Sequence, residues 1–310
     1  MKEKQTSRVN LLSRQVLQDL LQLDHLGDIG MSEMIFLMRL HVQEVARFST
    51  LIGYRLRLSE AQVMEFRQDC AVYEIDPVQF LQEEDEEGTP LSVAGLQLLK
   101  ICAKVHDIGK PFFRQIYIQE RGLTDKEFNL QKLHANLSRL IVKGWLNYPE
   151  LNFHNPQLIH MVADFSAQHQ EKYDGSGYPD RLVGKEISLL GRLLAITDAI
   201  SAIVNPRPYE VAIALDECMV RLEKDRGNHF DPELLDQSLS ILQHEVSSAP
   251  RFSGEWENLN QHSTDYINFV RYIDFERISA ETGRVGRGDR QYLPQLQEQV
   301  EAILNYHDNR

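Results

Sequence analysis

Apolar residues recur at spacings of three and four along most of this 310-residue chain, which is the period of an amphipathic α-helix. The first such segment covers residues 1–24, and its apolar positions are Val9, Leu12, Val16, Leu20 and Leu23. A second runs from about residue 32 to 56, whereas the continuous β-branched runs that build sheets are scarce. The pattern predicts an all-α protein whose first helix needs an apolar partner surface, on this chain or on a second copy.

The segment Val93–Val105 is apolar enough to be a buried helix. Gly109 and Pro111 end the helical pattern soon after it. The sequence therefore places a polar pair, His106 and Asp107, at the carboxyl end of a buried helix.

Local signals mark where the next helices begin. Thr124 and Glu127 form a capping box, and Asn155 followed by Pro156 is a cap with proline in the first turn. A long apolar helix is predicted over 187–204. These helices carry, or end at, three further polar residues: His134, His169 and Asp198.

Composition limits the class of partner. Thirty-three basic against 46 acidic residues give a formal net charge of −13, which disfavours broad contact with DNA or an anionic membrane. The most apolar stretch, 189–204, contains an arginine and an aspartate and is too short to span a bilayer. Without a signal peptide at the N-terminus, the chain is expected to be cytoplasmic. Its cysteines are expected to be free, buried thiols: Cys70, Cys102 and Cys218.

Imidazole and carboxylate groups on apolar helices form the candidate site. An unpaired buried polar group costs about 1–3 kcal/mol, and a shared metal site would satisfy several at once. Nitrogen and oxygen ligands without thiolate suit iron, manganese or zinc. Two ions can hold a bridging hydroxide and neutralise a phosphoryl group, which is the chemistry of phosphodiester hydrolysis. The candidates are His41, His106, Asp107, His134, His169 and Asp198.

Two long motifs carry a family resemblance. The run His-Asp-Ile-Gly-Lys at 106–110, then His134, then the run from His169 to Pro179 ending in Gly-Tyr-Pro, resembles the HD-GYP family of cyclic-di-GMP phosphodiesterases, within the HD hydrolase superfamily. Arg-Pro-Tyr at 207–209 and Gly-x-x-Phe-Asp-Pro at 227–232 follow in the family's order. The resemblance implies a helical HD-domain bundle over about 33–245.

The resemblance also implies roles for individual residues. One ion would be held by His41, His106, Asp107 and Asp198, with Asp107 bridging to a second ion held by His134 and His169. Lys110 would stabilise charge on the scissile phosphate, and Arg207 would contact a phosphate or guanine. Tyr178 would be a further substrate-binding residue. It lies in the turn that flanks the site and that is proposed in the family to dock diguanylate cyclase domains.

Four positions depart from the family pattern. Leu37 replaces the glutamate of members with three metals, so two divalent ions are expected, iron or manganese in preference to zinc. Gln170 replaces a histidine, and its amide oxygen would be a weaker ligand for the second ion. Ser201 stands where an aspartate is common, and Glu210 where a basic residue often follows, which would weaken binding of an anionic substrate.

Three segments are predicted along the chain. Residues 1–32 form an N-terminal amphipathic helical extension, 33–246 the HD-GYP-like catalytic domain with an insertion at about 68–92, and 247–310 a C-terminal helical extension. The acidic run 83–88 within the insertion is expected to be a solvated loop.

The leading functional hypothesis is a metal-dependent phosphodiesterase that opens cyclic di-GMP. Two alternatives stay open: a catalytically weak or inactive signalling module that binds nucleotide or proteins, and an HD hydrolase acting on another phosphate ester. Expected partners are the cyclic dinucleotide, a diguanylate cyclase or other signalling protein, and a second copy in a homodimer; DNA and membranes are not expected.

Overall fold

The structure is a computed structural model that describes residues 15–16, 18–28, 36–113, 116, 122–204 and 215–248. Within these residues the fold is all-α, as predicted. The helices are α1 (18–28, with 15 and 16 also helical), α2 (Phe36–Arg55), α3 (Glu60–Ala71), α4 (Val93–Val105), α5 (Asp125–Gln131), α6 (Leu133–Gly144), α7 (Pro156–Ala167), α8 (Leu189–Val204), α9 (Leu215–Lys224) and α10 (Pro232–Ser248). Short 3₁₀ turns lie at Pro77–Phe80, Lys110–Phe113, Trp145–Asn147, Pro149–Leu151, Gln168–Gln170 and Gly184–Glu186.

The predicted helix starts are confirmed by their caps. The Thr124 hydroxyl accepts from the Glu127 amide at 3.3 Å, and the Glu127 carboxylate accepts from the Thr124 amide at 2.8 Å. The Asn155 side chain accepts from the amide of Gln157 at 3.1 Å in the first turn of α7. The cap at Thr124 begins α5 only, because the helical ladder is interrupted at Lys132 and α6 starts after it.

Helices α2, α7 and α8 pack around α4 in the core. Helix α2 packs against α4 and α8, and α7 packs against α4 and α6. Each fully buried aliphatic or aromatic side chain contributes about 1.5–3 kcal/mol to the free energy of unfolding. The core includes Val45, Phe48, Ile52, Leu98, Leu99, Ile101, Ile159, Val162, Leu193 and Ile196. The helices that carry the candidate ligands are therefore held rigidly by the core.

The predicted insertion contributes one strand of a small sheet. Strand β1 (Arg57–Leu58) pairs antiparallel with β2 (Thr89–Pro90). Between them the acidic run is exposed, as predicted, and Asp85 accepts a hydrogen bond from Arg57 at 2.7 Å. The strand pair was not predicted, because each strand is two residues long and shows no alternation.

A buried arginine joins three elements of the fold. Arg192 of α8 donates to Glu65 of α3 at 2.6 Å, contacts Asp231 and donates to the Ile187 carbonyl at 3.0 Å. Asp231 in turn accepts from the Glu233 amide at 2.9 Å at the start of α10. This aspartate belongs to the Gly-x-x-Phe-Asp-Pro motif, so the motif has a structural role here.

Helix α1 packs against other helices of this chain. Leu20 and Leu23 are fully buried, and Asp24 contacts Lys100 of α4 at 3.1 Å. Burial alone would raise the pKa of Asp24, but the two lysines beside it, Lys100 and Lys104, lower it. The Asp19 carboxylate accepts from the Asn155 amide at 2.7 Å. Of the predicted C-terminal extension, only residues 247–248 are described, and the last predicted helix lies outside the described residues.

Two further expectations concern membrane and thiol chemistry. No helix in the described part of the chain is both long and apolar enough to cross a bilayer. The three cysteines are free and buried, as predicted, and burial raises the pKa of each thiol to about 12.

The boundaries of the three segments at 32 and 246 stay predictions.

Replacing Leu20 with alanine tests the docking of α1. Leu20 is 0% exposed, so Leu20→Ala should lower the free energy of unfolding by about 2–5 kcal/mol in a urea titration. The neighbouring Leu21 is 36% exposed, and Leu21→Ala should change the free energy of unfolding by about 0.5 kcal/mol or less. Equal effects of the two substitutions would contradict the docking.

Candidate metal centre

The six predicted ligands converge from five elements of the fold. His41 comes from α2, His106 and Asp107 from the turn after α4, His134 from the first turn of α6, His169 from the 3₁₀ turn after α7, and Asp198 from α8. All but His41 and Asp198 are at most 1% exposed, and those two are 15% exposed at the side chain. The structure thus brings together all six.

Three of the histidines are oriented by the ends of helices. The Nδ1 atoms of His106, His134 and His169 lie 2.6, 2.6 and 2.7 Å from the carbonyl oxygens three residues earlier. Those carbonyls lie in the last turns of α4, α5 and α7, where a helix leaves its carbonyls without internal partners. Because Nδ1 is the donor, the lone pair of Nε2 is available for a metal.

A serine orients the fourth histidine. His41 Nδ1 lies 3.0 Å from Ser201 Oγ, and the Ser201 hydroxyl also lies 3.4 Å from the His41 carbonyl. The ring of His41 is thereby fixed with Nε2 toward Asp198 Oδ1, at 2.9 Å. Sequence reasoning treated Ser201 only as a departure from the family pattern; the contact joins residues 160 positions apart, which no local signal reveals.

The Asp107 carboxylate divides the site into two groups. Its Oδ2 lies 3.2 Å from His106 Nε2 and 3.7 Å from His41 Nε2. Its Oδ1 lies 3.3 Å from His134 Nε2 and 3.6 Å from His169 Nε2. Each group brings three potential ligand atoms within 4.8 Å of one another, and Asp107 belongs to both.

The donor atoms fit metal ions. Asp107 Oδ1 is buried and makes no hydrogen bond with a described residue, and His134 Nε2 and His169 Nε2 face each other at 3.2 Å. Lone pairs that face one another repel, and a cation between them would remove that repulsion. Ligands about 2.0–2.2 Å from one ion lie about 3–3.5 Å apart, which matches these separations.

The protonation states also suit metal binding. Burial lowers the pKa of His134 to about 4 and of His169 to about 3, so both are neutral ligands at neutral pH. Burial opposes protonation of His106 too, but the charges of Asp107 and Asp198 outweigh it and raise its pKa to about 10. A metal bound there would displace that proton.

The remaining site residues line the centre. The Lys110 ammonium contacts the Asp107 carboxylate. The Tyr178 hydroxyl donates to Gln170 Oε1 at 2.9 Å, and the Tyr178 ring packs edge-to-face against His134. Arg207 and Glu210 lie outside the described residues, as does the side chain of Leu37 within α2.

One residue of the long motif has a role that sequence reasoning missed. The buried Glu171 carboxylate accepts from the amides of Asp180, Arg181 and Leu182 at 2.6, 3.2 and 3.1 Å. A Cβ atom on Gly177 would lie 2.2 Å from the Lys172 amide nitrogen, so only glycine fits there. These contacts hold the loop after His169 to residues 180–182. The sequence signal for this role is a glutamate within the motif that has no assigned ligand role.

Comparison with known proteins agrees with the family resemblance that the motifs carry. Residues 91–234 match the HD domain family, in agreement with the resemblance that the motifs carry. Over 154 residues it is 33% identical to the "Cyclic di-GMP phosphodiesterase response regulator RpfG" of Xanthomonas campestris pv. campestris, covering 49% of this chain and 38% of that protein.

Two relatives from Vibrio cholerae extend the comparison. One, a "Cyclic di-GMP phosphodiesterase", is 30% identical over 175 residues, covering 56% of this chain and 35% of the relative. Another, "3'3'-cGAMP-specific phosphodiesterase 2", is 29% identical over 147 residues, covering 47% of this chain and 26% of the relative. The chain thus spans between 26% and 38% of the length of these three relatives.

Removing the Ser201 hydroxyl tests its contact with His41. Ser201→Ala should weaken manganese binding by about 10–100-fold in isothermal titration calorimetry, because the partner of a ligating histidine holds its ring in place. Ser240→Ala, at an exposed position of α10, is the control and should bind like wild type. Unchanged affinity of Ser201→Ala would show that the contact does not orient a ligand.

Proposed function

We propose that this chain is a metal-dependent phosphodiesterase that hydrolyses a cyclic dinucleotide at a binuclear centre. The observation that carries the proposal is the Asp107 carboxylate, whose two oxygens face two different sets of histidines. Relatives named cyclic di-GMP phosphodiesterases make cyclic di-GMP the first substrate to test, and the cGAMP-specific relative makes 3′3′-cGAMP the second.

Each ion would have its own set of ligands. His41, His106, Asp107 and Asp198 would hold one, and Asp107, His134 and His169 the other. Two bound divalent ions, iron or manganese in preference to zinc, supply a nucleophile at neutral pH and offset charge on the phosphoryl group. The geometry that favours them is the set of facing lone pairs among buried nitrogen and oxygen atoms.

Lys110 would provide a cation beside the reacting phosphate. Its ammonium contacts Asp107, and its side chain is 14% exposed, so it lies at the edge of the centre rather than beneath it. From that position it can donate to a phosphate oxygen as negative charge develops there. A chain with a net charge of −13 needs such a local cation to hold a dianionic substrate.

The loop that bears Tyr178 would form one wall of the substrate site. Its ring centroid lies 6.3 Å from that of His134, and Lys132 Nζ lies 6.0 Å from the Tyr178 centroid. An aromatic face flanked by a cation suits a nucleobase and its phosphate. We also propose that Arg207 contacts a phosphate or a guanine of the substrate.

We propose the turn 174–179 as a docking surface for a diguanylate cyclase or other signalling protein.

The test is hydrolysis of defined substrates by the purified chain loaded with manganese or iron. Chromatography should resolve the linear dinucleotide or mononucleotide from cyclic di-GMP, and Asp107→Ala should reduce turnover to background because it removes a ligand of both ions. Asp216→Ala, at an exposed site on α9, is the matched control and should retain wild-type turnover. If the wild type with both metal positions filled turns over neither cyclic di-GMP nor 3′3′-cGAMP, the proposal is wrong.

A further inference from the structure

We infer that Gln170 is not a metal ligand in this chain but a positioning residue, which links the Tyr178 hydroxyl to the Asp198 carboxylate. The inference rests on the metal centre of the proposed function. It assigns Tyr178 a part in metal binding, and it differs from the expectation that the Gln170 amide oxygen weakly ligates the second ion.

The amide oxygen of Gln170 already has a partner. Gln170 Oε1 accepts a hydrogen bond from the Tyr178 hydroxyl at 2.9 Å. The two residues are joined a second time through the backbone, where the Tyr178 amide donates to the Gln170 carbonyl at 3.1 Å. This double link fixes Gln170 and Tyr178 as one unit.

The amide nitrogen of Gln170 faces the metal centre. Gln170 Nε2 lies 3.5 Å from Asp198 Oδ2, at the outer limit of a hydrogen bond. An amide NH₂ group donates hydrogen bonds and does not ligate a cation. With its nitrogen toward Asp198 and its oxygen toward Tyr178, the side chain is oriented as a bridge between them.

Asp198 is the ligand that such a bridge would orient. Its Oδ1 faces His41 Nε2 at 2.9 Å and His106 Nε2 at 3.6 Å, while Oδ2 faces Gln170. Carboxylates that bind metals are commonly held by a hydrogen bond to the other oxygen. Gln170 therefore supports the ion held by His41, His106 and Asp198, not the ion next to His169.

Tyr178 is held from a second side. Its ring packs edge-to-face against His134, at an interplanar angle of 86°. Tyr178 thus contacts a ring of one ligand group through its own ring, and through its hydroxyl it contacts an amide that faces the other group. Loss of the hydroxyl should release the amide oxygen of Gln170 and loosen Asp198.

Metal titration of the full chain tests the inference. Manganese affinity and stoichiometry would be measured by calorimetry and elemental analysis for wild type, Gln170→Ala, Tyr178→Phe and the double variant. We expect unchanged stoichiometry, a loss of about 10-fold or more in affinity for each single variant, and no further loss in the double variant. Tyr173→Phe, on the same loop but near Gly184, is the control and should bind like wild type.

Gln170→Glu separates the two roles by the sign of its effect. A glutamate can accept from Tyr178 but cannot donate to Asp198, so it should weaken binding if Gln170 is a positioning residue. A carboxylate is a better ligand for manganese than an amide, so binding should tighten if position 170 ligates the ion. Tighter binding by Gln170→Glu, or wild-type affinity of Tyr178→Phe, overturns the inference.

Two further outcomes keep this test apart from that of the proposed function. A wild type that binds manganese without hydrolysing any cyclic dinucleotide contradicts the proposed function, while the affinities of the variants still decide the role of Gln170. A wild type that binds no metal overturns both. If Gln170→Ala unfolds, as judged by circular dichroism, Tyr178→Phe and Gln170→Glu decide the question.

Discussion

The buried carboxylate of Asp107 is the group on which the rest of the site depends. At 1% exposure its charge has lost its hydration, a cost of several kcal/mol unless cations or donors replace the water. Burial alone would raise its pKa, yet His106 and Lys110 bring it well below the usual range, so the group is an anion. Four histidines supply nitrogen atoms on both sides of it, and two divalent ions would complete that compensation.

The fold provides this arrangement through the ends of its helices more than through their faces. Terminal carbonyls of α4, α5 and α7 hold the imidazoles of His106, His134 and His169, so the same backbone that ends each helix also orients a candidate ligand. The buried Arg192 fixes α8, which carries Asp198, to α3 and α10. The candidate ligands are thus positioned by backbone and side-chain groups of the packed helices.

The convergence of most candidate ligands could be predicted from the sequence, because each lies at a helix end or on an apolar helix with recognisable start and stop signals. The Asn155-Pro156 start placed His169 near a helix end without any tertiary information. The capping box at Thr124 predicted one helix with His134 inside it, and the break at Lys132 that puts His134 in the first turn of α6 was not predicted. The roles of Ser201 and Gln170 could not be predicted. Their contacts with His41 and Asp198 span 160 and 28 positions, and an amide's orientation depends on both of its neighbours.

The most direct test of a centre organised around Asp107 is anomalous diffraction from crystals of protein that was purified without any chelator. Data collected on both sides of the iron and manganese absorption edges would locate any bound ion independently of activity. The account predicts two peaks about 3.5–4 Å apart, one on each side of the Asp107 carboxylate. A single peak, or no peak among the six side chains, would contradict it.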